Sequence, residues 1–223
     1  MHEDDKIFLI VHGIFSLVCM LILFLPLNIK IGIKLFILVL IYNIIIPIVG
    51  VWKKDRNWLN IWLFSFILSL FQIWPDWFLS AQLNILIFPE DGLFKIGTVS
   101  GYMLFLWAIP FFIILYVGKR IETDYSERIV YSCVALLSLL IFGTSEMTIW
   151  TIGSWYAQNV FTIGHIAVYI IVPEILLGLS TNYFYKTIEK KSHYYKIIAA
   201  FFVMLIYLGS AVFFFFLIEK IVF

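Results

Sequence analysis

Three carboxylic acids stand inside long apolar stretches of this sequence: Asp76 in LFQIWPDWFL, Glu146 in IFGTSEMTIW and Glu174 in YIIVPEILLG. Two histidines are placed in the same way, His12 in LIVHGIF and His165 in TIGHIAV. On insertion scales a charge at the centre of a hydrocarbon layer costs about 2.5–3.5 kcal/mol, so each of these groups needs a chemical task or a dedicated partner. The task open to them is proton transfer, either to an apolar substrate or along a relay. Glu146 or Glu174 is the expected proton donor, with Asp76 and His165 as partners that set its protonation. The structural alternative for the two glutamates is a protonated carboxyl bonded across helices, and for His165 a packed polar bridge near Tyr169. Asp76 and the Glu90–Asp91 pair of IFPEDG also read as solvated charges of a headgroup region.

Other chemistries lack their residues. A magnesium-dependent prenyltransferase needs clustered aspartates, and the chain has no such pair of helices. Four histidines, His2, His12, His165 and His193, are too few for a membrane di-iron centre. HExxH, GxSxG and paired membrane aspartates are missing. The last apolar run, IIAAFFVMLIYLGSAVFFFFLI, has no lysine for a retinal Schiff base. What remains for an enzyme is acid–base work without metal or cofactor, of which protonation of a double bond is one example. Trp74, Trp77, Tyr102, Trp107, Trp155 and Tyr169 are the candidate cavity aromatics, because ring faces stabilise a developing cation. Interfacial belts and plain packing are the competing uses of such residues.

The elements that must position these groups follow from composition. Of 223 residues, 63% are hydrophobic and 13% charged, and mean hydropathy is +1.04, which no soluble domain could cover. Apolar runs at about 7–27, 33–52, 59–80, 96–117, 129–151, 160–185 and 197–218 are each long enough to span a bilayer and must be helical there. The expected fold is an all-α polytopic bundle of about seven transmembrane helices, forming one domain over residues 1–223 with no room for a soluble one. Prolines at 26, 47, 75, 110 and 173 lie in or beside spans and can kink them around a cavity. The sequence offers no convincing internal repeat. MHEDDK is acidic where a signal peptide is basic, so the first segment is expected to be retained. Cys19 and Cys133 read as small buried hydrophobes.

Of fifteen basic residues only Lys30, Lys34, Lys95 and Lys220 fall on the side opposite the N-terminus. That imbalance predicts a cytoplasmic N-terminus and an external C-terminus, in the cell membrane. A formal charge of +1 argues against nucleic acid as a partner. The expected partner is a membrane lipid.

Residues 94–112, FKIGTVSGYMLFLWAIPFF, have an Ile-Gly turn leading into a Phe-rich helix. In this the chain resembles the small membrane-embedded lycopene cyclases, carotenoid cyclases built of short multi-helix units. The likeness spans about a tenth of the chain. It implies a hydrophobic isoprenoid substrate and a cyclase or isomerase activity. That family marks its helix with a Pro-x-Glu-Glu type motif, whose carboxylates would protonate the polyene. Here the corresponding place reads Val99, Ser100, Gly101, Tyr102, and the nearest approximations are Pro89-Glu90-Asp91 and Pro173-Glu174. The resemblance thus implies a related enzyme whose acids have moved, or a member without the activity. Two other classes fit the same acids: a small proton-coupled transporter, and a non-catalytic scaffold using the charged loop KTIEKKSHYYK.

Overall fold

The computed structural model describes residues 3–26 and 28–222. It is 77% helical. Seven helices among the described residues are long and apolar enough to cross a membrane: α1 (Glu3–Phe24), α2 (Ile31–Lys53), α3 (Arg56–Gln82), α4 (Met103–Glu122), α5 (Glu127–Ile152), α6 (Val168–Ile188) and α7 (His193–Val222). The polar turn between α2 and α3 sets both ends. Lys54 takes a left-handed conformation that stops α2, and the Asp55 side chain accepts from Asn57 N and Trp58 N to start α3.

The centre of the bundle is built by α3, α4, α5, α6 and α7, with α6 packed along α7 and α7 against α3. The first helix lies outside it and has no buried residue. His12 of that helix is held in an aromatic nest. Its Nδ1 lies 2.8 Å from Phe8 O and its Nε2 3.0 Å from the Tyr42 hydroxyl, so with Nδ1–H donating to the carbonyl, Nε2 accepts from the tyrosine. That gives His12 a packing role.

At one end of the bundle the connectors hold short strands: β1 (Leu86–Ile87), β2 (Lys95–Ile96), β3 (Val99–Ser100), β4 (Tyr156–Ala157), β5 (Thr162–Ile163) and β6 (Ile166–Ala167). Two helices consequently start later than hydropathy predicts, α4 at Met103 and not near 96, α6 at Val168 and not near 160. In each case the apolar residues form a two-residue hairpin, Ile96 facing Val99 and Ile163 facing Ile166. Such a turn needs positive φ at its first position, supplied by Gly97 (φ 61) and Gly164 (φ 65).

These hairpins belong to a unit that occurs twice, which the sequence reading did not detect. The pattern Phe-x-Ile-Gly-x-(Val/Ile)-x-x-Tyr runs from Phe94 to Tyr102 and again from Phe161 to Tyr169. The backbone repeats with it: Gly101 N donates to Phe94 O at 2.9 Å, and Val168 N to Phe161 O at 3.0 Å. A Cβ on Gly97 would lie 2.6 Å from Trp77, and one on Gly164 2.9 Å from Met147, each the residue after an acid, Asp76 and Glu146. The α3–hairpin–α4 and α5–hairpin–α6 segments are therefore two copies running in the same sense. They meet through β1 and β4, which pair antiparallel, Leu86 with Ala157 and Ile87 with Tyr156.

The first connector is fastened by Asp91, which is buried rather than solvated. Its carboxylate accepts from Ser100 Oγ at 2.5 Å and Leu93 N at 2.9 Å, while its carbonyl accepts from Gly32 N at 3.0 Å. Glu90 does reach solvent, 3.8 Å from Lys95 Nζ. Asp91→Ala strands the buried Ser100 hydroxyl and the half-buried Leu93 N–H and is expected to destabilise the protein by about 1–3 kcal/mol, read as a lowered unfolding temperature in detergent, with Asp91→Asn milder.

Candidate functional site

Each of the three acids lies where its helix departs from the regular α pattern. Pro75 precedes Asp76 and Pro173 precedes Glu174, and proline lacks the N–H that would bond the carbonyl four residues back. Just beyond Asp76, α3 widens into a π turn over Phe78–Gln82, a distortion common at functional sites. Glu146 sits in the last α-helical turn of α5, before the chain tightens at Ile149–Ile152.

These three acids, from three helices, line one small chamber of about 30 Å³, roughly room for one or two waters. Leu86 and Ala157 of the β1–β4 pair contribute to its wall, so the joined connectors cap it. Trp107, Trp155, Tyr169 and Tyr207 supply aromatic surface, and among the described residues no basic side chain lines it. The Trp107 indole donates to Asp76 Oδ2 at 3.0 Å, and the Trp155 indole donates to Glu146 Oε1 at 2.9 Å. Trp107 is held by ring contacts with Phe111, Phe142 and Tyr207, centroids 5.7, 5.5 and 6.0 Å away. Glu174 receives no hydrogen bond from the described residues.

A second, larger space of about 180 Å³ adjoins the chamber and shares Met103, Trp107, Glu146, Trp155 and Glu174 with it. Its walls are apolar, Leu106, Ile109, Pro110 and Ile113 from α4 facing Ile141, Phe142 and Ile149 from α5. It is a cleft between these two helices that ends on two carboxyls.

Of the residues singled out from sequence, Asp76, Glu146, Glu174, Trp107, Trp155 and Tyr169 come together here. The others do not. His165 lies exposed in the second hairpin turn, stacked on Trp150 with centroids 3.9 Å apart. Trp74 is 57% exposed on the outside of α3, and Trp77 packs over the Gly97 turn. Tyr102 is fully buried but is not among the residues lining the chamber; its hydroxyl lies 2.6 Å from Ser154 Oγ, where it braces the second connector. Tyr207, which sequence reasoning passed over, lines the chamber; its signal was a lone phenol in the most apolar half of the last helix. Gln72, one turn before Asp76, is also buried, with neither amide atom partnered among the described residues. No group of three or more His, Cys, Asp or Glu among the described residues is disposed to hold a metal ion.

Seven helices long and apolar enough to cross a membrane, with three carboxyls gathered between α3, α5 and α6, describe a membrane protein with an acid cluster inside its bundle. The chain belongs to the family described as domain of unknown function DUF6989, which matches residues 73–218. That segment contains every residue lining the chamber, whereas α1 and α2 lie outside it. No curated protein and no solved structure matches the chain.

Proposed function

We propose that the protein is a metal-free, cofactor-free membrane enzyme that performs acid–base chemistry on an isoprenoid or carotenoid-like lipid, as a cyclase or isomerase. The observation that supports this is the apolar cleft between α4 and α5 that ends on Glu146 and Glu174. A dry cavity of about 150 Å³ admits benzene, so this one suits a ring-sized end of a chain whose remainder stays in the bilayer. In the reaction a carboxylic acid adds its proton to a terminal double bond, and the cation is attacked by an internal double bond to close a ring. A carboxylate then removes a proton from the adjacent carbon, and the product is an isomer of the substrate. The rings of Trp107 and Trp155, which line both spaces, would stabilise the cation. The imbalance of basic residues supports a cytoplasmic N-terminus, which puts the chamber toward the outer leaflet.

A second reading is a proton relay for a transporter, favoured by buried groups along α3 and α6 that have no hydrogen-bond partner among the described residues: Gln72, Ser65 and Thr181. The two helices touch again at the far end, where Phe64 and Tyr185 have ring centroids 5.7 Å apart.

Lipid extracts from cells with and without the protein separate these readings. The enzyme is expected to exchange two isoprenoid species of equal mass and different retention. Ile113→Trp, which fills the cleft, should lower that product about hundredfold while the protein stays folded, because displacing a substrate by an ångström or more has effects of that size. Unchanged lipids together with proton-dependent flux in proteoliposomes would select the relay.

A further inference from the structure

The acids of the chamber are not equivalent, and the repeated unit shows how the difference arises. Trp107 follows Tyr102 by the same number of residues as Glu174 follows Tyr169, so the two occupy matching positions of the two copies. In the first copy that position carries the indole that donates to Asp76. In the second it carries an acid, and the indole donating to Glu146 comes from the connector instead, at Trp155. Asp76 and Glu146 each have a fixed N–H donor; Glu174, at the meeting of chamber and cleft, has none among the described residues. Since no cationic side chain among the described residues lines the chamber, three ionised carboxylates would face one another without compensation. An indole is a donor only, and it compensates a carboxylate better than a neutral carboxyl.

Building on the acid–base reading above, we propose that Trp107 and Trp155 hold Asp76 and Glu146 as carboxylates while Glu174 carries the chamber's single proton and delivers it to the substrate. Glu174 O–H breaks as the new C–H bond forms, leaving its electron pair on the carboxylate. Glu146, the other acid reached from the cleft, accepts the proton released when the cation collapses. That proton returns to Glu174 through the chamber, which restores the starting state with no net gain or loss. Glu174 and Glu146 are the catalytic residues in this scheme. Trp107 and Trp155 are positioning residues, and Asp76 is a neighbouring carboxylate whose charge favours protonation of Glu174 without itself holding the proton.

Infrared spectroscopy of the full chain in lipid nanodiscs at neutral pH, with and without deuterium exchange, tests this without any substrate. One protonated-carboxyl band is expected. It should vanish in Glu174→Gln, remain but shift in Glu174→Asp, and persist in Asp76→Asn. Trp155→Phe should add a second band, as Glu146 loses its donor and takes up a proton, a change that a packing role for the indole would not produce. Survival of the band in Glu174→Gln, its loss in Asp76→Asn, or no new band in Trp155→Phe would overturn the assignment. Because the spectra need no lipid turnover, the distribution of charge can stand if the isoprenoid reading fails, and fall if it holds.

Discussion

Glu174→Gln is expected to cut formation of the lipid product by about 10²–10⁴-fold, the usual range for removing a positioned acid, and to leave folded protein in the membrane. The amide has the volume of the carboxyl it replaces, and no hydrogen bond from the described residues is broken by the exchange, so the fold has little to lose. What disappears is the transferable proton. Glu146→Gln should do less harm to the structure still, because Gln Oε1 can accept the Trp155 indole as Glu146 Oε1 does at 2.9 Å. Quantifying the product in membrane extracts, beside elution of the purified variant on gel filtration, tests the expectation; wild-type turnover by Glu174→Gln would end the case for this residue.

Gly178→Leu should be the most damaging single change to the fold. Gly178 is one turn beyond Glu174 on the buried face of α6, and a Cβ there would run into Ser138 of α5. Ser138 permits the close approach because its hydroxyl bonds back to Val134 O at 2.7 Å, within its own helix. Small residues at such a crossing are what allow two membrane helices to pack closely. A leucine must push α5 away from α6, and overpacking of this kind costs about 1–3 kcal/mol even where a core can adjust. Here the same movement separates Glu146 from Glu174, so turnover should fall with the unfolding temperature. Gly178→Ala should show a reduced form of both effects. Wild-type thermal unfolding of Gly178→Leu in detergent would contradict the packing described.

The spans themselves were legible because lipid leaves an apolar run no alternative to a helix. Their starts at the hairpin end were not, since Ile96, Val99, Ile163 and Ile166 raise hydropathy equally whether they continue a helix or face one another across a turn. The three acids stood out through their cost in hydrocarbon, and Trp107, Trp155 and Tyr169 were recognised as aromatic neighbours. Trp74 and Trp77 lie within two residues of Asp76 along the chain. On a helix, though, residues one or two positions apart point in different directions, and these two face outward and over the first hairpin. His165 reads as intramembrane only if α6 begins near 160; with Gly164 it makes a turn in the cap instead. Tyr207 and the cleft depend on which helices meet, and hydropathy carries no information about that.

The way the two indoles are distributed also bears on how the chain enters the membrane during synthesis. Asp76 is partnered from within its own unit by Trp107, and Glu146 by Trp155, so each acid meets its donor as soon as its own segment has emerged. Pairing of β1 with β4 links the two units across a long stretch of chain and must wait for the second to arrive. Neither Asp76 nor Glu146 therefore has to face lipid bare while the later helices are still being made. Glu174 has no such local escort among the described residues and enters on the sixth helix, when of the chamber's walls the one from α7 is still to come.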